Sequence, residues 1–130
     1  MREIKFRAWW KKDKIMCEVI HIEFGDPNEY KVIPINENSV NWSTWWLSEN
    51  EIDLIEYTTK KDKKQKEIHS GDIVKKSVID RNGELHEWIE KVSWSNERLA
   101  WYIGITPLAY PYDYEIIGNV YENPELLEKE

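Results

Sequence analysis

Glu56 to Lys76 reads EYTTKKDKKQKEIHSGDIVKK, and the fold is decided there. A strand-like run, Glu51 to Thr58 (EIDLIEYT), enters it with Ile52 and Leu54 on one face and Ile55 and Tyr57 on the other. A lysine-rich loop, Thr59 to Glu67, follows. Ser70-Gly71-Asp72 then makes a tight turn that delivers Ile73 to Ile79 as a strand, with Gly71 giving the bend and Asp72 accepting a turn hydrogen bond. The stretch therefore divides the chain into a β-unit before it, residues 1–58, and a second unit after it, residues 59–130.

Upstream, Glu3 to Trp10 alternates, with Ile4, Phe6, Ala8 and Trp10 opposite Glu3, Lys5 and Arg7. That period of two predicts a half-buried strand. Ile15 to Phe24 predicts a second strand, paired back across the polar turn at Lys11 to Lys14. Gly25-Asp26-Pro27-Asn28 breaks it, and Tyr30 to Ile35 is a short strand whose Pro34 favours an edge or an end. Ser39 to Leu47 (SVNWSTWWL) is open between helix and strand. Trp42, Trp45 and Trp46 share a helical face, yet the β-branched and aromatic content suits a strand equally.

Downstream, Asp80-Arg81-Asn82-Gly83 predicts a type I′ hairpin between Ile73–Ile79 and Glu84–Trp94. Leu99 to Ile105 and Tyr112 to Tyr121 supply further strands, with a loop at Pro107 to Pro111. Asn123-Pro124-Glu125 places an N-cap and a first-position proline before a short closing helix. Five short strands between Ile68 and Tyr121 predict a small SH3-like barrel, closed or half open. The fold class is mainly β, with the N-terminal strands packed on the barrel or on another subunit.

Composition narrows the function. The chain has 130 residues, 41% hydrophobic and 33% charged, which describes a globular protein. Its net charge of −7 opposes whole-surface binding to nucleic acid, although a local basic patch remains compatible with an acidic body. A lone cysteine, Cys17, excludes an intramolecular disulfide and suits a reducing cytoplasm. The N-terminus lacks the apolar run of a signal peptide, and no segment approaches the ~18 apolar residues that span a bilayer. Asn41-Trp42-Ser43 matches the glycosylation pattern and reads as coincidence without a secretion signal.

Two groups of residues invite a role. Lys60, Lys61, Lys63, Lys64 and Lys66, balanced only by Asp62 and Glu67, are able to contact phosphates; the bland alternative is a solvated loop that offsets an acidic body. Trp9, Trp10, Trp42, Trp45 and Trp46 form the second group. Adjacent tryptophans on a strand point to opposite faces, so one of each pair is available to another subunit. Tryptophan is enriched at interface centres, and the reading favours an interface over a strand buried on both faces. His21, His69 and His86 show no ligand spacing, and the carboxylates of Glu84 and Glu87 do not share the face of His86 cleanly, so no metal and no cofactor is expected. No hydrolase, Walker or dinucleotide fingerprint appears, so no catalytic residue and no enzyme activity is expected.

Three stretches together resemble the YopX-like family, small proteins encoded by phages and prophages of Gram-positive bacteria. They are REIKFRAWWKKDKIM at Arg2 to Met16, LIEYTTKKDKKQKEIHSGDIVK at Leu54 to Lys75 and YEIIGNVYENPELLE at Tyr114 to Glu128, in the family's order. The resemblance implies a mainly β fold with an SH3-like barrel in the C-terminal half, and it transfers no catalytic residue. The chain departs from the family's pattern at Trp9-Trp10, where Trp-Asp is common. It departs again at Thr59, where a glycine usually follows Tyr-Thr, and at Lys64-Gln65, where Asn-Gly usually stands in the loop. Thr and Gln resist the positive φ that glycine supplies, which puts the loop's usual turn in question. The expectation is a non-enzymatic, cytoplasmic, self-associating interaction or assembly module, partnered by its own copies or by a phage or host protein. The alternative is a nucleic-acid-binding accessory protein using the Lys60–Lys66 loop.

Overall fold

The computed structural model describes residues 5–35, 43–110 and 112–127. The chain forms two compact units, one ending at Tyr57 and one beginning at Thr58. Every strand pairing is antiparallel, and the mainly β class expected from the sequence holds.

The first unit is a meander. Strands β1 (Phe6–Trp10), β2 (Ile15–Glu23), β3 (Glu29–Pro34) and β4 (Trp45–Ser48) pair in succession, and β5 (Ile52–Lys61) lies on the other side of β1. The alternation in the first strand works as expected: Ala8 is fully buried between partly exposed neighbours. It joins Cys17, Tyr30, Val32, Leu47 and Ile52 in one apolar cluster, against which Trp10, Ile15, Val19 and Ile22 pack. Burial pushes the Cys17 thiol up to about 11, so the group stays protonated at neutral pH and acts as a small hydrophobe. Pro34 sits at the end of its strand, where its missing N–H breaks no ladder. Of the ambiguous segment, Trp45–Ser48 is strand; residues 39–42, Trp42 among them, lie outside the described residues.

Strand β5 runs on into the second unit and turns back there into β6 (Glu67–His69). Strands β7 (Asp72–Ile79), β8 (Leu85–Ser95), β9 (Ala100–Ile103) and β10 (Thr106–Pro107) form a second meander, and β11 (Asp113–Asn119) returns beside β7. The core of this unit is Ile68, Val74, Val92, Ile103, Leu108 and Tyr114, with Trp101, Tyr112 and Ile116 packed on it. Strands β10 and β11 stand at opposite ends of this five-stranded sheet, so among the described residues the sheet is open rather than closed. The expected C-terminal helix is a single 3₁₀ turn, Pro124–Leu127. The Asn123 side chain does not cap it: Oδ1 accepts the Asn119 amide at 3.3 Å, behind the turn, and only the Asn123 carbonyl meets the turn, accepting the Leu126 amide at 3.1 Å.

One turn differs from expectation. The hairpin at Asp80–Gly83 is not type I′, because only Gly83 has positive φ (81°), while Asn82 does not. The Gly83 amide donates to the Asp80 carbonyl at 3.0 Å, and the Asp80 amide donates to the Glu84 carbonyl at 2.9 Å. That pattern is a type I turn followed by a left-handed glycine, the three-residue hairpin loop. The Asp80 side chain decides the choice by stabilising the right-handed turn from within: its Oδ1 accepts the Asn82 and Glu84 amides at 2.8 and 2.9 Å.

Candidate functional site

The lysine-rich loop is organised by an acid. Asp62 is 3% exposed, and its carboxylate accepts three backbone N–H groups. Oδ1 takes those of Lys64 and Lys66 at 2.8 and 2.9 Å, and Oδ2 takes that of Ile116, on β11, at 3.1 Å. Burial alone would raise the Asp62 pKa, but the three amides and the Lys66 charge outweigh it and hold the carboxyl below its usual range. The Lys63 amide also donates to the Tyr114 carbonyl at 2.9 Å, so the loop is fastened to β11 twice.

The lysines themselves are drawn into the unit to different degrees. Lys60 lies on β5; its ammonium donates to the Leu108 carbonyl at 2.8 Å and stands 4.8 Å from the centre of the Tyr114 ring. Burial lowers its pKa. Lys64 pairs with Glu115 at 2.7 Å and Lys63 with the same carboxylate at 3.7 Å. The hydrogen bond and charge of Glu115 raise the Lys64 pKa, and those of Lys64 lower the Glu115 pKa. Solvent screens such surface pairs, so they orient the loop more than they stabilise it. Lys61 also lies on β5, and Lys66 faces Asp62. Lys60 is thus drawn into the unit, while Lys61, Lys63, Lys64 and Lys66 are exposed, two of them beside Glu115.

The tryptophans divide by face, as adjacent strand residues must. Trp10 packs against the core of the first unit and meets Trp45 with ring centres 5.6 Å apart. Trp9 points to the other face and is partly buried. Trp46 stands edge-on to His21, ring centres 5.6 Å apart. Strand β4 ends its sheet, and its two indoles are 47% and 49% exposed. Trp42 lies outside the described residues.

Gly71 has φ of 82°, and a Cβ there would stand 2.9 Å from the Tyr121 ring. Its amide donates to the Val92 carbonyl and its carbonyl accepts the Val120 amide. Asp72 Oδ2 accepts the His69 amide at 2.7 Å.

A family model described as "YopX protein" matches residues 5–128. The chain belongs to the YopX family. A crystal structure of protein EF1440 from Enterococcus faecalis is similar at a TM-score of 0.65 and 22% identity, covering 98% of this chain and 99% of that one, a likeness of fold. No curated protein matches the chain.

The departures from the YopX pattern now have a structural meaning. Thr59 and Gln65, which stand where the family's glycines were noted, take positive φ, 72° and 66°. The Asp62 carboxylate, bonded to the amides of Lys64 and Lys66, fixes the backbone around Gln65.

Two features escaped the sequence reading. Asp62 looked like a charge balance for its lysine neighbours. Its five-residue frame, Asp62-Lys63-Lys64-Gln65-Lys66, is nonetheless the frame of Asp80-Arg81-Asn82-Gly83-Glu84, and setting the two side by side would have exposed it. The second is Lys76, 4% exposed on β7, whose ammonium bonds to Thr106 Oγ1 and pairs with Glu90 at 3.2 Å. Trp88 and Tyr112 rings lie 5.3 and 6.0 Å from it. Gly104 leaves room for the Glu90 carboxylate, since a Cβ at that position would overlap it. A buried lysine carries no distinctive sequence signal, because its partners come from β8, from β10 and from Tyr112 just before β11.

Proposed function

We propose that this YopX-family chain is a phage- or prophage-encoded, non-enzymatic module that self-associates in the cytoplasm of a bacterial host. The observation that carries the reading is the β4 edge. Trp45 and Trp46 remain about half exposed on a strand that, among the described residues, ends its sheet. Such an edge offers unpaired backbone groups and large apolar area together, the two ingredients of strand addition by another chain. The second unit supports an SH3-like, half-open barrel: β7 to β10 run as a meander, β11 returns beside β7, and closure would need only the outer strands to approach. Within this reading the lysine loop is scaffold, since Asp62, Glu115 and the Leu108 carbonyl engage it.

Light scattering on the tag-free chain at micromolar concentration tests the proposal. The expected result is a mass above one chain, with Trp46→Ser shifting the distribution toward monomer while the circular-dichroism spectrum is unchanged. A clean wild-type monomer would contradict it. A retardation assay comparing wild type with a variant carrying Gln at Lys60, Lys61, Lys63, Lys64 and Lys66 should show no salt-sensitive binding in either protein.

A further inference from the structure

The tip of the β7–β8 hairpin gathers three metal-binding side chains that nothing in the fold of the unit requires to meet. Asp80, Glu84 and His86 each present one donor atom, and these atoms all lie within 4.8 Å of one another. The set is mixed, two carboxylate oxygens and one imidazole nitrogen.

The local chemistry prepares one of the donors. Asp80 Oδ1 is committed to the backbone, accepting the amides of Asn82 and Glu84. The carboxylate plane is thereby fixed, and Oδ2 is left pointing across the hairpin at His86 Nε2, 2.7 Å away. The His86 ring is held in turn by stacking on Trp88, with planes 16° apart and centres separated by 6.1 Å. Glu84 sits just before the returning strand, exposed, with no partner for its carboxylate among the described residues. Two donors are therefore pre-oriented and the third is free to swing in. The side chains of Asp80 and His86 are 31% and 44% exposed, which leaves an open path for an ion.

We infer that Asp80, Glu84 and His86 form a surface site for a divalent cation of borderline softness, Zn²⁺ or a neighbour in its row. Donor type selects this class: imidazole suits zinc, cobalt, nickel and copper, whereas calcium requires six to eight oxygens and magnesium a near-ideal octahedron of them. Around an ion with bonds of ~2.0–2.1 Å, two tetrahedral ligands stand ~3.3 Å apart. The Asp80–His86 pair thus opens by about half an ångström, and the imidazole takes the Nδ1–H tautomer so that the Nε2 lone pair faces the ion. Three protein ligands leave the remaining positions for water or for a donor from another molecule. The site is independent of self-association through β4, which belongs to the other unit.

The test uses the tag-free full chain, freed of metal with a chelator, and Zn²⁺ as the probe in calorimetry and amide-shift mapping by NMR. The expected result is one ion per chain in the micromolar range, with shifts confined to the segment from Asp80 to Trp88. His86→Gln and Glu84→Gln should each weaken binding at least about tenfold while leaving the rest of the amide spectrum in place. The other exposed imidazole–carboxylate pair, His21 with Glu23 at 3.3 Å, provides the control, and His21→Gln should change nothing. Shifts centred on His21, unchanged affinity in His86→Gln, or no saturation below millimolar Zn²⁺ would each overturn the inference.

Discussion

The second unit contains the same turn twice, once closed and once open. At Asp62–Lys66 and again at Asp80–Glu84, the aspartate Oδ1 accepts the amides two and four residues ahead. In both, the aspartate amide donates to the carbonyl four residues on, and the residue before that carbonyl has positive φ, Gln65 in one and Gly83 in the other. The second carboxylate oxygen separates them. Asp62 Oδ2 accepts the Ile116 amide of β11 inside the unit, whereas Asp80 Oδ2 faces an exposed histidine. One local device thus serves two ends. When both oxygens meet backbone, the aspartate is an anchor; when one is left to the surface, it is a candidate ligand.

The largest effect that would break this comparison comes from removing the charge at each aspartate. Asp62→Asn keeps one acceptor oxygen and sets its NH₂ against an amide donor, leaving a buried N–H without a partner. Urea unfolding should show a loss of about 2–4 kcal/mol. Asp80→Asn, exposed and able to re-solvate, should lose clearly less. Equal losses would mean that the two turns are energetically alike.

Next comes Gly71→Val. Positive φ and the Tyr121 ring both oppose a side chain there, and the strain of a left-handed residue alone costs about 1–2 kcal/mol. The melting temperature should fall by several degrees, and an unchanged midpoint would remove the structural role. The reciprocal exchange at the two turns sharpens the comparison at smaller amplitude. Gln65→Gly should gain, and Gly83→Gln should lose, about 1 kcal/mol each, because the position is left-handed in both. Thermal unfolding of the two variants beside wild type reads it.

The smallest effect is the pH dependence. Asp62 has a depressed carboxyl pKa in the folded chain, so its contribution is full above the ordinary aspartate value of ~3.9 and is lost as pH falls through the lower folded value. The stability gap between wild type and Asp62→Asn should therefore hold from neutral pH down to that region and narrow below it. A gap that stays constant to the acid limit would contradict the charged anchor. Asp80 is also held low, by the His86 hydrogen bond first and then by the amides, but its exposure makes any such slope shallow.

Much of the fold was legible in the residues. The alternation in 3–10 marked β1, the apolar run from Ile15 marked β2, and Ser70-Gly71-Asp72 marked the entry to β7. Those signals are local and periodic. The site was less legible, for a physical reason. The lysines announced themselves by charge, yet Lys60 and Lys64 are engaged by the Leu108 carbonyl and by Glu115, partners about fifty residues away that no local pattern reveals. The sequence reading of His86 weighs only its neighbours Glu84 and Glu87, and it misses Asp80 because that residue precedes the turn. The hairpin tip is not regular there: Asp80 comes from the other limb, and the left-handed Gly83 turns the chain so that the three donors converge. The type I′ expectation failed at the same place, since it weighed the Asn-Gly pair and not the aspartate before it.

The most direct test of the anchor-and-ligand contrast is amide hydrogen exchange on the wild-type chain at neutral pH. The amides of Lys64, Lys66 and Ile116, all bonded to Asp62, should exchange slowly, near the rate of the core strands. Those of Asn82 and Glu84, bonded to Asp80 by the same geometry, should exchange at least about tenfold faster because their turn opens locally. Comparable protection in the two turns would contradict the account.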